Sequence, residues 1–550
     1  MSVFRRWIIC LFIVIAFFAY QLSNFDDNKS RDIIAGKKDL TGLPILDNFE
    51  PVRESLLALT KGGKLDKNLT TATEVNSILK KINPKNDWLV SLDYEHIQQV
   101  LDHSEGLGFF VSDHHEELGV ARFSVVDPDK AMPLLSEMIE QGKVSLNHTL
   151  RTPPPPRNYQ VRESVEFSDS FLEWLGGSGE RNGFGDGVKV ALLDSGVKLS
   201  HPALTGVKIK HKDLLTHPSA PAISNDQAYA HGTALASLIS SQTESFTGIA
   251  PGSEILSYRV IDQSGSTDTY TVASAIVTAV QDGADVINLS LGGMNGNEVL
   301  NRAVFYALEH EVPLVAAVGN DGIGLVNYPA AYDGVIGVTS VEKTGRVANF
   351  ANFGDGVDLA APGVQVLAAW ESEGMAYLSG TSVSTALVTG AIAMELARRP
   401  DLSNAEIQQL FQNLSNDTHK PGFDSISGHG ILSLARLENQ NNPNYTDPAI
   451  TGYYFENFDG LHTGTIPFEI MVQNQGNKWL GDLTLDVNYL DQKKTFIINN
   501  LAPGGIRSEK LYLQATDFNK AVEINAKLHV PKGTVDFREE NNHRISKIHF

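Results

Sequence analysis

The stretch Leu378-Ser379-Gly380-Thr381-Ser382-Val383-Ser384-Thr385-Ala386-Leu387-Val388-Thr389-Gly390 reads as a tight Gly-Thr-Ser turn entering an apolar helix of small residues. The first turn of a helix leaves backbone N–H groups unpaired and carries the positive end of the dipole. A hydroxyl placed there is exposed, and neighbouring N–H groups can face a developing oxyanion. Ser382 is therefore the candidate nucleophile. A lone serine in such a position more often only caps the helix. The nucleophile reading thus requires a base, an orienting acid and a second oxyanion donor elsewhere in the chain.

All three are present. Val188-Lys189-Val190-Ala191-Leu192-Leu193-Asp194-Ser195-Gly196-Val197 is a short apolar run ending in an acid, as expected for a buried parallel strand that delivers Asp194 at its carboxyl end. His231-Gly232-Thr233-Ala234-Leu235-Ala236-Ser237 opens a second helix of small residues. Val315-Ala316-Ala317-Val318-Gly319-Asn320-Asp321-Gly322 is an apolar strand ending in Gly-Asn. Each segment alone is a weak signal; four in order, each in its strand or helix context, is a strong one. From roughly Gly185 to Leu432 the chain resembles the subtilisin family of serine endopeptidases.

That resemblance implies roles. Ser382 attacks the scissile carbonyl, His231 moves the proton and Asp194 holds the imidazole. Asn320 donates its side-chain N–H to the tetrahedral oxyanion. Ser290-Leu291-Gly292 is the edge that pairs with the substrate backbone, and Gly292 leaves room for the side chain preceding the cleaved bond (P1). Asp321 and Asn327 line the P1 pocket by alignment through Asn320 and Tyr328-Pro329, which implies acceptance of basic or polar P1 residues. Gly248-Ile249-Ala250-Pro251, Asp285-Val286-Ile287-Asn288 and Ala360-Ala361-Pro362-Gly363 support the fold. One departure follows the nucleophile: the family usually shows Met-Ala-x-Pro-His-Val, and this chain has Val383-Ser384-Thr385-Ala386-Leu387-Val388. No cofactor is expected for catalysis. Structural calcium is common in the family, but no Asp-rich loop assigns a metal site here, and His201 and His429 read as structural.

The fold class expected for residues 185–438 is α/β with a parallel sheet. Ile255–Val260, Val286–Leu291 and Val335–Val341 read as strands, and Thr271–Asp282 and Asn297–Glu309 as helices. Ser403-Asn404-Ala405-Glu406 is a capping box that opens a helix through Leu414.

Ahead of this domain, residues 88–150 show a β-α-β-β-α-β order, a ferredoxin-like split pattern. The strands are Trp88–Leu92, Gly108–Ser112, Gly119–Val126 and Lys143–Leu150; the helices are Tyr94–Asp102 and Asp129–Gln141. His114-His115-Glu116-Glu117 reads as a solvated turn. By pattern the module resembles the inhibitory propeptide of secreted subtilisin relatives, which implies the chain's own propeptide as a partner. Residues 151–184 are a linker and the start of the mature enzyme, with Pro153-Pro154-Pro155-Pro156 extended and accessible to cleavage.

At the amino end, Arg5 and Arg6 precede an apolar run from Trp7 to Tyr20, the pattern of a secretory signal over residues 1–24. The run is shorter than the ~20 residues of a spanning helix. Phe17-Phe18-Ala19 places a bulky residue three before any cut, so a membrane anchor through residues 7–20 is the alternative. Residues 25–87 read as a spacer. Cys10 is the single cysteine, so no intrachain disulfide forms.

After a polar break at Asn439–Asn444, residues 445–550 show short alternating runs, read as a small β-sandwich accessory domain. Val472-Gln473-Asn474-Gln475-Gly476-Asn477 and Leu501-Ala502-Pro503-Gly504 resemble the cell-adhesion-related immunoglobulin-like domain of bacterial surface proteins. The rival is the β-rich accessory domain of proprotein convertases. Its role is either packing against the enzyme or binding a cell-surface ligand.

The 550 residues are 42% hydrophobic and 20% charged, ordinary for a globular chain. A net charge of −21 argues against nucleic acid as a partner. The expected function is an exported serine endopeptidase, secreted or in the cell envelope, acting on proteins or peptides and made as a self-processing zymogen. The alternatives are a membrane-tethered processing protease of narrow specificity, or a surface-binding protein with a degenerate protease core. Intact Asp194, His231, Asn320 and Ser382 argue against the last.

Overall fold

The computed structural model describes residues 83, 85–92, 101, 104, 106–152, 171–215, 229–455, 465–514 and 522–548, apart from 344, 372, 419–421 and 491. The expected signal at 1–24, most of the spacer at 25–87, nearly all of the helix at 94–102 and the proline run at 153–156 lie outside the described residues.

Seven parallel strands form the central sheet, in the spatial order Leu359–Pro362, Ile336–Val341, Leu314–Ala317, Val286–Leu289, Lys189–Asp194, Glu254–Arg259, Ile209–Asp213. Six of the seven are buried almost throughout their length, as a sheet covered on both faces demands. On one face lie the helices Ala230–Ser240 and Thr381–Arg398, rich in small residues and almost wholly buried. On the other lie Thr269–Gln281 and Glu298–Glu309, each capped by an acceptor side chain, Asp268 and Asn297. The capping box at Ser403 is formed, with Glu406 reaching back to the Ser403 N–H. The first and fourth strands in sequence are neighbours, Lys189–Asp194 beside Val286–Leu289. That is a switch point, where open α/β sheets place their sites at the carboxyl ends of strands.

Residues 88–146 form a four-stranded antiparallel sheet, ordered Phe109–His115, Val120–Val125, Trp88–Ser91, Val144–Leu146. The helix Pro128–Glu140 covers it through Ala131, Met132, Leu135 and Ile139. Two expectations are corrected. The strand of Phe109 runs on to His115, which pairs with Val120, so His114 and His115 are strand residues rather than turn residues. The expected single strand Lys143–Leu150 breaks at Asn147 and His148. Its second part, Thr149–Arg151, leaves the small sheet and pairs antiparallel with Ser266–Asp268 of the α/β domain. The break has a cause: Asn147 Oδ1 accepts from Tyr270 N at 3.0 Å and from Thr269 Oγ1 at 3.0 Å, at the start of the helix Thr269–Gln281.

The last hundred residues form two antiparallel sheets. One holds Pro448–Phe455, Thr465–Asn474 and Ile506–Gln514; the other holds Gln492–Ile498, Leu483–Tyr489, Val522–His529 and His543–Ile548. Their inner faces share one core, with Phe468, Ile470 and Val472 against Leu485, Val487 and Ala526. This is a sandwich.

Candidate active site

Asp194 ends its strand with no exposed surface, and its Oδ1 accepts from Ser195 N at 2.7 Å. His231 lies in the first turn of the helix Ala230–Ser240, with Nδ1 2.9 and 3.0 Å from the two Asp194 carboxylate oxygens. Gly232 permits this approach. A Cβ there would collide with the Gly196 carbonyl and crowd Asp194 Oδ1 at 3.3 Å. Burial on its own would lower the His231 pKa, but the Asp194 charge and hydrogen bond outweigh it, and the net shift is upward. With Nδ1–H given to Asp194, the other ring nitrogen carries the lone pair.

Ser382 is the second residue of the helix Thr381–Arg398 and is 4% exposed. Its hydroxyl donates to the Ser290 carbonyl at 3.3 Å, and the Ser290 hydroxyl donates to the Ser382 carbonyl at 3.1 Å. Asn288 Nδ2 donates to Ser290 Oγ, and Thr389 Oγ1 donates to Asn288 Oδ1. A polar chain thus ties the helix to its strand. Strand register sets Asn288 opposite Leu192, so Ser290 continues level with Asp194 at one end of the sheet.

Asn320 follows the strand Leu314–Ala317. Its Oδ1 accepts from Thr381 N at 3.0 Å and from Thr381 Oγ1 at 2.9 Å. That fixes the amide's orientation, and Nδ2 lies 2.9 Å from where a Cβ on Gly380 would sit. Gly380 has φ 152°, at the turn that leads into Ser382.

The edge Ser290-Leu291-Gly292 lies beyond the regular strand, which ends at Leu289. Gly292 exchanges both backbone hydrogen bonds with Arg151: Arg151 N to Gly292 O at 2.9 Å, and Gly292 N to Arg151 O at 2.8 Å. Thr152 N donates to Gly265 O at 3.1 Å. Residues 149–151 therefore lie between Ser266–Asp268 and the Gly292 edge, with Leu150 fully buried in the apolar cluster that contains Leu291. Asn327 is buried, and its Cβ stands 3.0 Å from the position a Cβ on Gly292 would take. Asp321 is exposed, with its N–H held by Asn352 Oδ1.

Thr381 and Asn352 escaped the sequence reading. Thr381 sits within the nucleophile stretch, where its small polar side chain reads as turn chemistry. Asn352 carries no local motif. Among the described residues, no group of three or more His, Cys, Asp or Glu is assembled to hold a metal ion, and no helix is long and apolar enough to cross a membrane.

Comparison with known proteins gives the family of the α/β domain. Residues 185–430 match the family model described as "Subtilase family". Thermitase of Thermoactinomyces vulgaris is 37% identical over 249 residues, covering 45% of this chain and 84% of that protein. The thermophilic serine proteinase of Bacillus sp. (strain AK1) is 35% identical over 263 residues, 47% of this chain and 62% of that protein. The minor extracellular protease Epr of Bacillus subtilis (strain 168) is 30% identical over 285 residues, 50% of this chain and 42% of that protein. The chain belongs to the subtilase family, and its α/β domain is a subtilisin-like serine endopeptidase domain.

Proposed function

We propose that Ser382 is the nucleophile, His231 the general base and Asp194 the residue that orients and charges it. The Ser382 hydroxyl turns from the Ser290 carbonyl to the free ring nitrogen of His231 and attacks the scissile carbonyl. The proton passes to His231 and then to the leaving amine. Asn320 Nδ2 and the Ser382 backbone N–H receive the oxyanion. No cofactor enters this chemistry.

We further infer that residues 88–152 form an inhibitory module whose tail occupies the substrate groove, and that the chain is a zymogen. One observation carries this: Arg151 exchanges two backbone hydrogen bonds with Gly292 while its strand pairs with Ser266–Asp268 on the other side. Main-chain pairing of this kind is how an extended peptide is held at a strand edge. Asp321 and Asn327 are read as P1-pocket residues on alignment, with Asn327 packed under Gly292. Export is supported by Arg5, Arg6 and the apolar run after them, and by the likeness to the minor extracellular protease Epr of Bacillus subtilis. The sandwich is proposed as an accessory domain fastened to the enzyme, with a cell-surface ligand as its second reading.

Self-processing tests the reading. The chain lacking residues 1–24 is expressed as wild type and as Ser382→Ala, and each new N-terminus is sequenced. Only the wild type is expected to lose the module, by a cut within 151–169. Both proteins staying whole and inert on casein would overturn it.

A further inference from the structure

The loop that carries Asn320 is exposed from Asp321 to Leu325 and has no helix or strand of its own to hold it. Its base is held by a second loop, residues 350–353. Three main-chain bonds join them: Asn352 N to Gly319 O at 3.0 Å, Gly322 N to Phe350 O at 2.7 Å, and Phe353 N to Ile323 O at 3.0 Å. One side chain adds to these. Asn352 Oδ1 accepts from Asp321 N at 2.9 Å and from Ile323 N at 3.3 Å. Asn352 therefore grips the backbone on both sides of Asn320, through its own N–H before it and its carbonyl oxygen after it.

The fit is tight. Asn352 has no exposed surface, and a Cβ on Gly319 would collide with its amide and with that of Asn327. Gly319 has φ 112°, a conformation that favours glycine. Asn352 Nδ2 is buried with no hydrogen-bond partner among the described residues. The amide oxygen faces the loop of the oxyanion donor.

We propose that Asn352 is a positioning residue for the reaction: it fixes the backbone on both sides of Asn320 so that Asn320 Nδ2 meets the oxyanion of the transition state. The inference rests on the reading of Asn320 as oxyanion donor. Asn352 touches no reacting atom. Its contribution falls on the transition state and not on ground-state binding, so kcat should change and KM should not.

The test is a double-mutant cycle in the full chain. Wild type, Asn320→Ala, Asn352→Ala and the double variant are each matured by a trace of tagged wild-type enzyme, which is then removed. Steady-state rates are measured on a peptide p-nitroanilide. Asn320→Ala is expected to lower kcat by roughly 10²–10³-fold, the range known for an oxyanion donor. Asn352→Ala should lower kcat about tenfold with KM within about twofold, and should cost nothing further in the Asn320→Ala background, because residues acting through one group are not additive. An unchanged kcat in Asn352→Ala, or a loss that persists in full beside Asn320→Ala, overturns the proposal. An unchanged kcat in Asn320→Ala brings down the oxyanion reading itself, and the inference with it. If Asn352→Ala does not fold, Asn352→Ser, which keeps a small polar oxygen in the same cavity, enters the cycle in its place.

Discussion

The small sheet of residues 88–146 and the sandwich of residues 448–548 are both fastened to the α/β domain, by different chemistry. On the amino side the bonds at the groove are neutral: the pairing of 149–151, the Asn147 contacts with Thr269 and Tyr270, and Asn297 Nδ2 to Leu146 O at 2.9 Å; farther out, Arg302 donates to Leu118 O and Gln281 to the Glu117 carboxylate. One ionic link, Arg122 between Asp87 and Asp268, is partly open to water. On the carboxyl side, charged side chains held within each domain stand at the joint. Arg538 donates to Glu173 O at 3.0 Å and stands 3.5 Å from the fully buried Asp447. A Cβ on Gly504 would collide with Arg436, whose guanidinium holds Ser415 O and Asn413 O and whose pKa is pulled down to about 10 by burial. Gln473 Nε2 reaches Asp417 O at 2.8 Å. A strand pairing can be exchanged for another peptide. A buried ion stripped of its partner is costly. The first joint suits a segment that leaves, the second one that stays.

The largest effect separates chemistry from attachment. Asp194→Asn is expected to lower kcat about 10⁴-fold by presenting the wrong imidazole tautomer, with the melting of the sandwich unchanged. The pH profile sharpens it. His231 must be neutral to act as base, so kcat/KM rises with pH through its raised pKa. Without the Asp194 charge, the inflection moves to lower pH.

Arg538→Met comes next. It removes the bond to Glu173 and leaves Asp447 buried without its cation, an expected loss of about 3–5 kcal/mol by urea unfolding. The rate on a small peptide substrate should stay unchanged; a matching loss of kcat would mean the sandwich shapes the active site.

The smallest effect is on the exchangeable joint. In the Ser382→Ala chain, Asn147→Ala removes the acceptor of the Tyr270 N–H and the Thr269 hydroxyl, worth about 1–2 kcal/mol. Amide exchange at Leu150 and Arg151 should quicken about tenfold, with that of residues 483–489 unaltered. Equal change in both would erase the contrast.

The four chemical segments were legible because each concentrates its signal at an element's end, in contiguous residues. The capping box at Ser403 was legible for the same reason. The strand Ile209–Asp213 was not, since it is a polar edge strand with no apolar run. Ala360-Ala361-Pro362-Gly363 was legible as a family match and not as a strand, since Leu359–Pro362 spans only four residues. The break at Asn147 was hidden because its cause lies 123 residues away, at Tyr270. Thr381 and Asn352 were missed for that same physical reason: they act on Asn320 and its loop across long separations, which composition and spacing do not encode.

The central claim is that Ser382 is an activated nucleophile covered by the chain's own strand. A fluorophosphonate, which phosphonylates activated serines with loss of fluoride, followed by mapping of the modified peptide, tests it directly. The account predicts labelling at Ser382 alone, slow in the intact chain, fast once residues 88–152 are removed, and abolished by His231→Ala. Labelling at another serine, or at equal speed with and without the module, would contradict it.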